Sequence, residues 1–283
     1  MSSSGKITAG VDIGSTASKS LIMKNGNILS SVIGPSTVNP VKTAERVFHE
    51  SCEMAGVSPT EVASIIGTGY GRAKVLFAHD NASEISCHAA GAHFLVPDVR
   101  TVIDIGGQDC KAIAIDERGR LKNFAMNDKC AAGTGRFLEM MARILEVGVE
   151  DLGALDGRST SPVAISNVCS VFAESEVINL INEGANIPDI IKGLHISLTN
   201  RVAVLVNRVG LREKVVVTGG VAKNRGVVAA LGQKLGSAIT SLDGTIDPQL
   251  IGALGAAVLA HRRLLKEENA GREETTESRE REP

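Results

Sequence analysis

One pattern occurs twice in this chain, and it limits the possible folds more than any other feature. Gly10-Val11-Asp12-Ile13-Gly14 and Val102-Ile103-Asp104-Ile105-Gly106 both run apolar, β-branched residues into an aspartate and then a glycine. Asp12/Asp104, Ile13/Ile105, Gly14/Gly106 and Lys19/Lys111 coincide at a single offset. Each copy reads as a strand, a polar turn and a return strand: 7–13, 14–18 and 19–23 in the first, 102–105, 106–109 and 111–115 in the second. Tight turns follow at Asn25-Gly26 and at Asp116-Glu117-Arg118-Gly119. Two copies spaced by roughly a domain length predict two lobes with one strand-hairpin core. They exclude a solenoid, which needs at least three stacked repeats. The chain, at 283 residues, is long enough for two such lobes. The division predicted is 1–100 for the first lobe, with part of the final helix returning to it, and 101–265 for the second. Residues 266–283 hold Glu, Arg, Thr, Ser and Gly with almost nothing apolar, and predict a disordered charged tail.

Between and after the repeats, helices are predicted over 40–55, 83–95, 188–209 and 225–235. A third strand of the first hairpin is predicted over 28–33, and further strands at 65–66 and 214–218. The strand at 65–66 leads into Gly67-Thr68-Gly69-Tyr70-Gly71, and the one at 214–218 into Gly219-Gly220-Val221-Ala222-Lys223-Asn224. Asp247-Pro248-Gln249 caps a final helix over 250–265.

A glycine at a strand end lets backbone approach a phosphate closely, and successive N–H groups there form an anion-binding nest. Ser15, Thr16 and Lys19 can add donors to the first turn, as Gly106 and Gly107 can to the second. Asp12 and Asp104 are suited to hold Mg²⁺ through water, and Gln108 to orient an attacking water. No Walker A sequence is present, and the first glycine turn returns into a strand, unlike a Rossmann loop. A net charge of −2 and 2% aromatic residues argue against a nucleic-acid surface or a base-stacking platform. No apolar run approaches a membrane span and the N-terminus has no leader pattern, so a cytoplasmic protein without membrane contact is predicted.

The second informative stretch is Asn127-Asp128-Lys129-Cys130-Ala131-Ala132-Gly133-Thr134-Gly135-Arg136-Phe137-Leu138-Glu139. Phe137, Leu138, Met141, Ile144 and Leu145 lie on one face of a helix, so Cys130 and a glycine turn with free N–H groups are predicted at its start. Cys169 opens a similar helix. Taken alone, free cysteines are core residues more often than ligands. Cys52, Cys87 and Cys110 read that way, and no C-x-x-C pair supports a metal site within one chain. The six histidines read as packing or surface residues.

The two D-I-G hairpins, the Thr218-Gly219-Gly220-Val221-Ala222-Lys223-Asn224 turn and the terminal Gly252-Ala253-Leu254-Gly255-Ala256-Ala257 helix resemble the actin, sugar-kinase and heat-shock-chaperone ATPase superfamily. That resemblance implies an α/β fold of two ribonuclease-H-like lobes with a nucleotide cleft between them. Gly10 to Lys19, the Cys130 segment, and Cys169 followed by Phe172-Ala173-Glu174-Ser175-Glu176-Val177 resemble one branch more closely. This is the activator ATPases of 2-hydroxyacyl-CoA dehydratases, to which the ATPase subunits of benzoyl-CoA reductase are related. The resemblance implies ATP or ADP with Mg²⁺, and one [4Fe–4S] cluster per dimer with Cys130 and Cys169 as this subunit's ligands. It implies catalytic roles for Asp12, Asp104 and Gln108. The implied nucleotide contacts are Gly14, Ser15, Thr16, Ala17, Ser18, Lys19, Gly106, Gly107, Gly133, Thr134, Gly135, Gly219, Gly220, Val221, Asn224 and Gln249. Implied partners are a second copy or a sister ATPase subunit, a ferredoxin or flavodoxin donor, and an acyl-CoA dehydratase or aromatic acyl-CoA reductase. A sugar or small-metabolite kinase, and a nucleotide-binding scaffold without turnover, are the alternatives on the same fold.

Overall fold

The computed structural model describes residues 5–166 and 169–280. The elements in order are β1 (Ile7–Ile13), β2 (Ala17–Lys24), β3 (Asn27–Pro35), α1 (Pro40–Ala55), β4 (Val62–Thr68), β5 (Asp80–Asn81) and α2 (Glu84–Leu95). There follow β6 (Thr101–Ile105), β7 (Cys110–Ile115), β8 (Leu121–Asn127), α3 (Gly135–Ile144), α4 (Leu152–Asp156), α5 (Ser170–Asn182) and α6 (Ile187–Val209). The chain ends with β9 (Val215–Thr218), α7 (Arg225–Leu235), β10 (Ile239–Thr240) and α8 (Ile251–Glu280). It forms two compact units, Met1–Phe94 with Gly252–Pro283, and Leu95–Ile251.

Each unit holds one five-stranded mixed sheet, and the two sheets share a topology: β3-β2-β1-β4-β5 in one, β8-β7-β6-β9-β10 in the other. The central strands β1 and β6 are buried along their whole length, which is why they read as continuous apolar runs rather than alternating ones. Antiparallel pairing sets Asp12 opposite Lys19 and Asp104 opposite Lys111. Parallel pairing sets Asp12 opposite Thr68 and Asp104 opposite Thr218. The repeat visible in the sequence therefore extends to a third strand, whose Thr-Gly ending (Thr68-Gly69, Thr218-Gly219) is its least conspicuous part.

Local signals place the helices. α1 starts where the Asn39 side chain accepts from the Lys42 N–H at 3.1 Å and Pro40 occupies the first turn; it stops at the left-handed Gly56. Its buried face carries Ala44, Val47, Phe48 and Cys52, and Phe48 stacks on Phe77 with ring centroids 4.8 Å apart. The small residues of α8 let it sit close to its neighbours. A Cβ at Gly10 of β1 would lie 1.9 Å from the Ala253 carbonyl oxygen, and one at Gly255 would lie 1.7 Å from that of Cys87.

Three features depart from the sequence reading. β8 is an edge strand with exposed Leu121 and Phe124, too polar to read as a strand. The short helix α4 has no periodic signal of its own. α8 continues to Glu280, where a disordered tail was predicted beyond Lys266. Glu, Lys and Arg are good helix formers, Arg263 pairs with Glu267 one turn on at 2.9 Å, and a helix already nucleated by a buried half extends at little cost. Residues 281–283 of that tail lie outside the described residues.

The close approach of α8 to α2 makes a direct prediction. Gly255→Ala places a methyl against the Cys87 backbone and is expected to cost about 2 kcal/mol or more, the scale of core overpacking. Urea unfolding of the full chain measures it.

Candidate functional site

The two aspartate turns are built alike. Asp12 and Asp104 are nearly fully buried at the ends of their strands. The Lys19 Nζ lies 3.1 Å from Asp12 Oδ2, and the Lys111 Nζ lies 3.3 Å from Asp104 Oδ2 and 2.7 Å from Asp109 Oδ1. The Thr218 hydroxyl donates to Asp104 Oδ1 at 3.0 Å, whereas the buried Thr68 hydroxyl makes no such bond to Asp12. Gly69 and Gly219 follow these threonines with φ of 84° and 85°. A Cβ there would come within 2.3 Å of Asp12 Oδ1 and 2.4 Å of the Ile105 carbonyl oxygen, so only glycine fits.

Ser15 and Gln108 are exposed at the two turns. The Thr16 hydroxyl is buried and unpartnered, which leaves a donor for a ligand. Ala17 begins β2. Ser18 is a scaffold residue: its hydroxyl is 2.8 Å from that of Ser36, which donates to the Gly14 carbonyl at 2.7 Å. Ser36, absent from the sequence reading, thus sets the shape of the first turn.

In the second unit the late turn folds onto the segment before α8. The Gly219 N–H donates to the Pro248 carbonyl at 3.0 Å, and Lys223 Nζ bonds Asp247 at 2.7 Å and Gln249 at 3.3 Å. Gln249 also lies beside Gly220. The Val221 side chain is buried in the core of its unit. Asn224 is occupied twice. Its Oδ1 accepts from the Val227 N–H at 3.1 Å, capping α7, and its amide lies 3.2 Å from Nε2 of the fully buried His195. His195 Nδ1 faces Asp156 Oδ1 at 3.4 Å, with Lys192 3.6 Å from the other oxygen. The His195 ring facing it, then the charge of Lys192, hold Asp156 below the usual carboxylate range against the opposing effect of burial. The sequence reading found no carboxylate spaced to His195, because this partner comes from a separate helix.

The cysteines are positioned differently from each other. Cys169 is the N-cap of α5. The Val171 N–H holds its thiol below the ordinary value, with further contributions from the Phe172 N–H, the Ser170 side chain and the Arg201 charge. Cys130 is not at a helix mouth, as the sequence reading had it; Thr134 is the N-cap of α3, and Cys130 lies in the preceding loop. Asn127 clasps that loop, donating from Nδ2 to the Cys130 carbonyl at 2.9 Å and accepting from the Cys130 N–H at 3.3 Å. The Arg201 Nη1 lies 3.9 Å from Cys130 Sγ. The N–H groups after Cys130 are mostly occupied. Thr134 donates to Ala131, while the Gly135 N–H donates to Gly106 at 2.8 Å and the Arg136 N–H to Gly107 at 2.9 Å. The start of α3 is thereby bonded to the second aspartate turn.

Cys52, Cys87 and Cys110 are buried; desolvation raises Cys52 to about 11 and Cys87 to about 12, and Cys110 is likewise pushed up. Among the described residues no three His, Cys, Asp or Glu side chains are placed to hold a metal ion, and no helix is long and apolar enough to cross a membrane.

Two units of one mixed-sheet topology, each ending its central strand in a buried aspartate and a glycine turn, define an actin-like ATPase fold. The chain belongs to the BadF/BadG/BcrA/BcrD ATPase family, which it matches over residues 9–260. It is 48% identical over 257 residues to the 2-hydroxyisocaproyl-CoA dehydratase activator of Clostridioides difficile, covering 89% of this chain and 94% of that protein. The solved structure of the activator of the 2-hydroxyisocaproyl-CoA dehydratase from Clostridium difficile with bound ADPNP superposes with a TM-score of 0.87 at 46% identity, covering 93% of this chain and 97% of that one. A benzoyl-CoA reductase component of Thauera aromatica is 33% identical over 96% of this chain and 99% of its own length.

The Asp156 network predicts a pH signature. Because its folded pKa is depressed, Asp156 contributes stability that is fully present above the unfolded value of about 3.9 and declines as the pH falls toward the lower folded value. Asp156→Asn should lose about 2 kcal/mol near neutral pH. Denaturant titrations should show that gap closing below pH ~4.

Proposed function

We propose that the chain is an ATP-dependent reductive activator of a 2-hydroxyacyl-CoA dehydratase. The observation that carries this reading is the pair of backbone hydrogen bonds from Gly135 and Arg136 to Gly106 and Gly107, which ties the Cys130 loop and α3 to a phosphate-type turn. The turns Gly14 to Lys19 and Gly106 to Gln108 are each of the kind that grips phosphate. Asp12 and Asp104 hold Mg²⁺, Lys19 and Lys111 supply positive charge beside them, and Gln108, exposed at its turn, orients the attacking water. Gly219, Gly220 and Gln249 meet the nucleoside, with Lys223 fixing their arrangement.

Cys130 and Cys169 fit half of a [4Fe–4S] ligand set. Such a cluster takes four thiolates, and the two cysteines share the field of Arg201 while the remaining three are buried elsewhere. A two-fold homodimer supplies the other pair. The apolar side chains of Val171 and Phe172, exposed immediately after Cys169, suit that association. When bound, the cluster would carry a single low-potential electron, received from a ferredoxin or flavodoxin in the cytoplasm. Loss of the γ-phosphate at the Gly106–Gly107 turn is transmitted through Gly135 and Arg136 to the Cys130 loop. Raising one electron by about 0.3 V costs roughly 7 kcal/mol, taking ~59 mV per tenfold in K, and ATP turnover supplies a driving force of that scale.

A dehydratase partner is favoured over an aromatic acyl-CoA reductase because the activator relative is 48% identical and the reductase component 33%. A sugar kinase on the same fold predicts a phosphorylated product and no iron. Anaerobic reconstitution followed by iron and sulfide assay and EPR should give about one cluster per two chains, absent in Cys130→Ser and Cys169→Ser. Gln108→Ala should lower ATP turnover by ~10²-fold or more with cluster content unchanged. Wild-type protein that gains no iron and phosphorylates a sugar would sink the activator reading.

A further inference from the structure

We infer that Arg201 is a positioning residue for the electron-carrying group, setting how readily that group is reduced. The inference rests on the cluster reading above. Arg201 lies on α6, 71 residues from Cys130 in sequence, and its Nη1 reaches the Cys130 sulfur at 3.9 Å. Its Nε and Nη2 are buried and have no hydrogen-bond partner. It takes part in no ion pair with a described carboxylate, although a largely buried cation ordinarily requires an anion. The stem of the side chain packs on Gly133, 3.6 Å from where a Cβ there would stand, so the loop between Cys130 and α3 holds the guanidinium in place. A guanidinium presents five donors in a rigid fork. Here that fork has one sulfur contact, to the half-buried Cys130, and two idle donors.

The chemistry that satisfies this arrangement is an anionic, sulfur-rich group held by Cys130 and Cys169. A fixed positive charge and N–H donors toward sulfur stabilise the more negative, reduced state and so raise its potential. Arg201 therefore makes loading of the electron easier. Any motion of the Cys130 loop that alters the Arg201 contact would change the potential with nucleotide state.

The test uses the reconstituted full-length dimer in EPR-monitored redox titrations, with iron and sulfide measured after gel filtration. Arg201→Met should shift the reduction equilibrium about tenfold toward the oxidised form, ~59 mV more negative for one electron. Arg201→Lys should recover most of that shift, because it restores the charge, and thermal unfolding should be little changed. An unshifted midpoint in Arg201→Met overturns the inference while leaving the cluster reading intact. If Arg201→Met does not retain a cluster, Arg201→Gln, which keeps a donor without the charge, is titrated and should shift in the same direction. Loss of the cluster from Met and Gln variants but not from Lys supports the charge as its anchor. Loss from all three together with lowered thermal stability reduces Arg201 to a scaffold residue and overturns the inference. Failure of the wild-type chain to bind a cluster sinks the underlying reading instead.

Discussion

A carboxylate buried at the end of a central strand must be paired, and in each unit that requirement organises everything around it. The antiparallel register brings a lysine opposite the aspartate, and the parallel register brings a threonine. The backbone after each threonine then passes so close to the strand end that glycine is obligatory. What remains is a polar turn with a buried negative charge behind it and a lysine beside it. That is a poor place for a hydrophobic ligand and a suitable one for a metal-bound polyphosphate.

The second unit adds a link between its aspartate turn and a cysteine loop. The carbonyls of Gly106 and Gly107, in the second aspartate turn, accept the first two N–H groups of α3. The helix is thus capped by that turn. The loop just before it carries Cys130, held by Asn127 and lying against Arg201. A change of a few tenths of an ångström at the turn has little slack to absorb it before the cysteine loop, because the amides at the start of α3 are bonded to that turn.

Much of this was legible in the sequence. The hairpins could be read because their signals are local: apolar runs, an Asn-Gly turn and a repeated aspartate. The ranges read for α1 and α7 coincide with those of the structure, where an Asn cap begins each helix and a glycine ends it. The proposed pairing of Cys130 with Cys169 rests on the resemblance of their flanking motifs, not on spacing. Long-range partners were not legible. Ser36 closing the first turn, His195 between Asp156 and Asn224, and Arg201 against Cys130 are contacts between distant segments, and no periodicity encodes them. The continuation of α8 was missed because a charged composition reads as disorder when its attachment to a buried helix is ignored.

The sequence by itself determined that there are two copies of one strand-hairpin unit, that an aspartate and a glycine turn end each, and that two cysteines stand apart from the other three. Those properties depend on residue identity and near-neighbour order. Only the tertiary structure decided which N–H groups stay available and which are used, that the start of α3 is fastened to the second aspartate turn, and that an arginine without a described acidic partner sits beside Cys130. The reason is that hydrogen-bond satisfaction and charge pairing are settled by which surfaces meet when the sheets and helices pack, and that information is carried by no single stretch of chain.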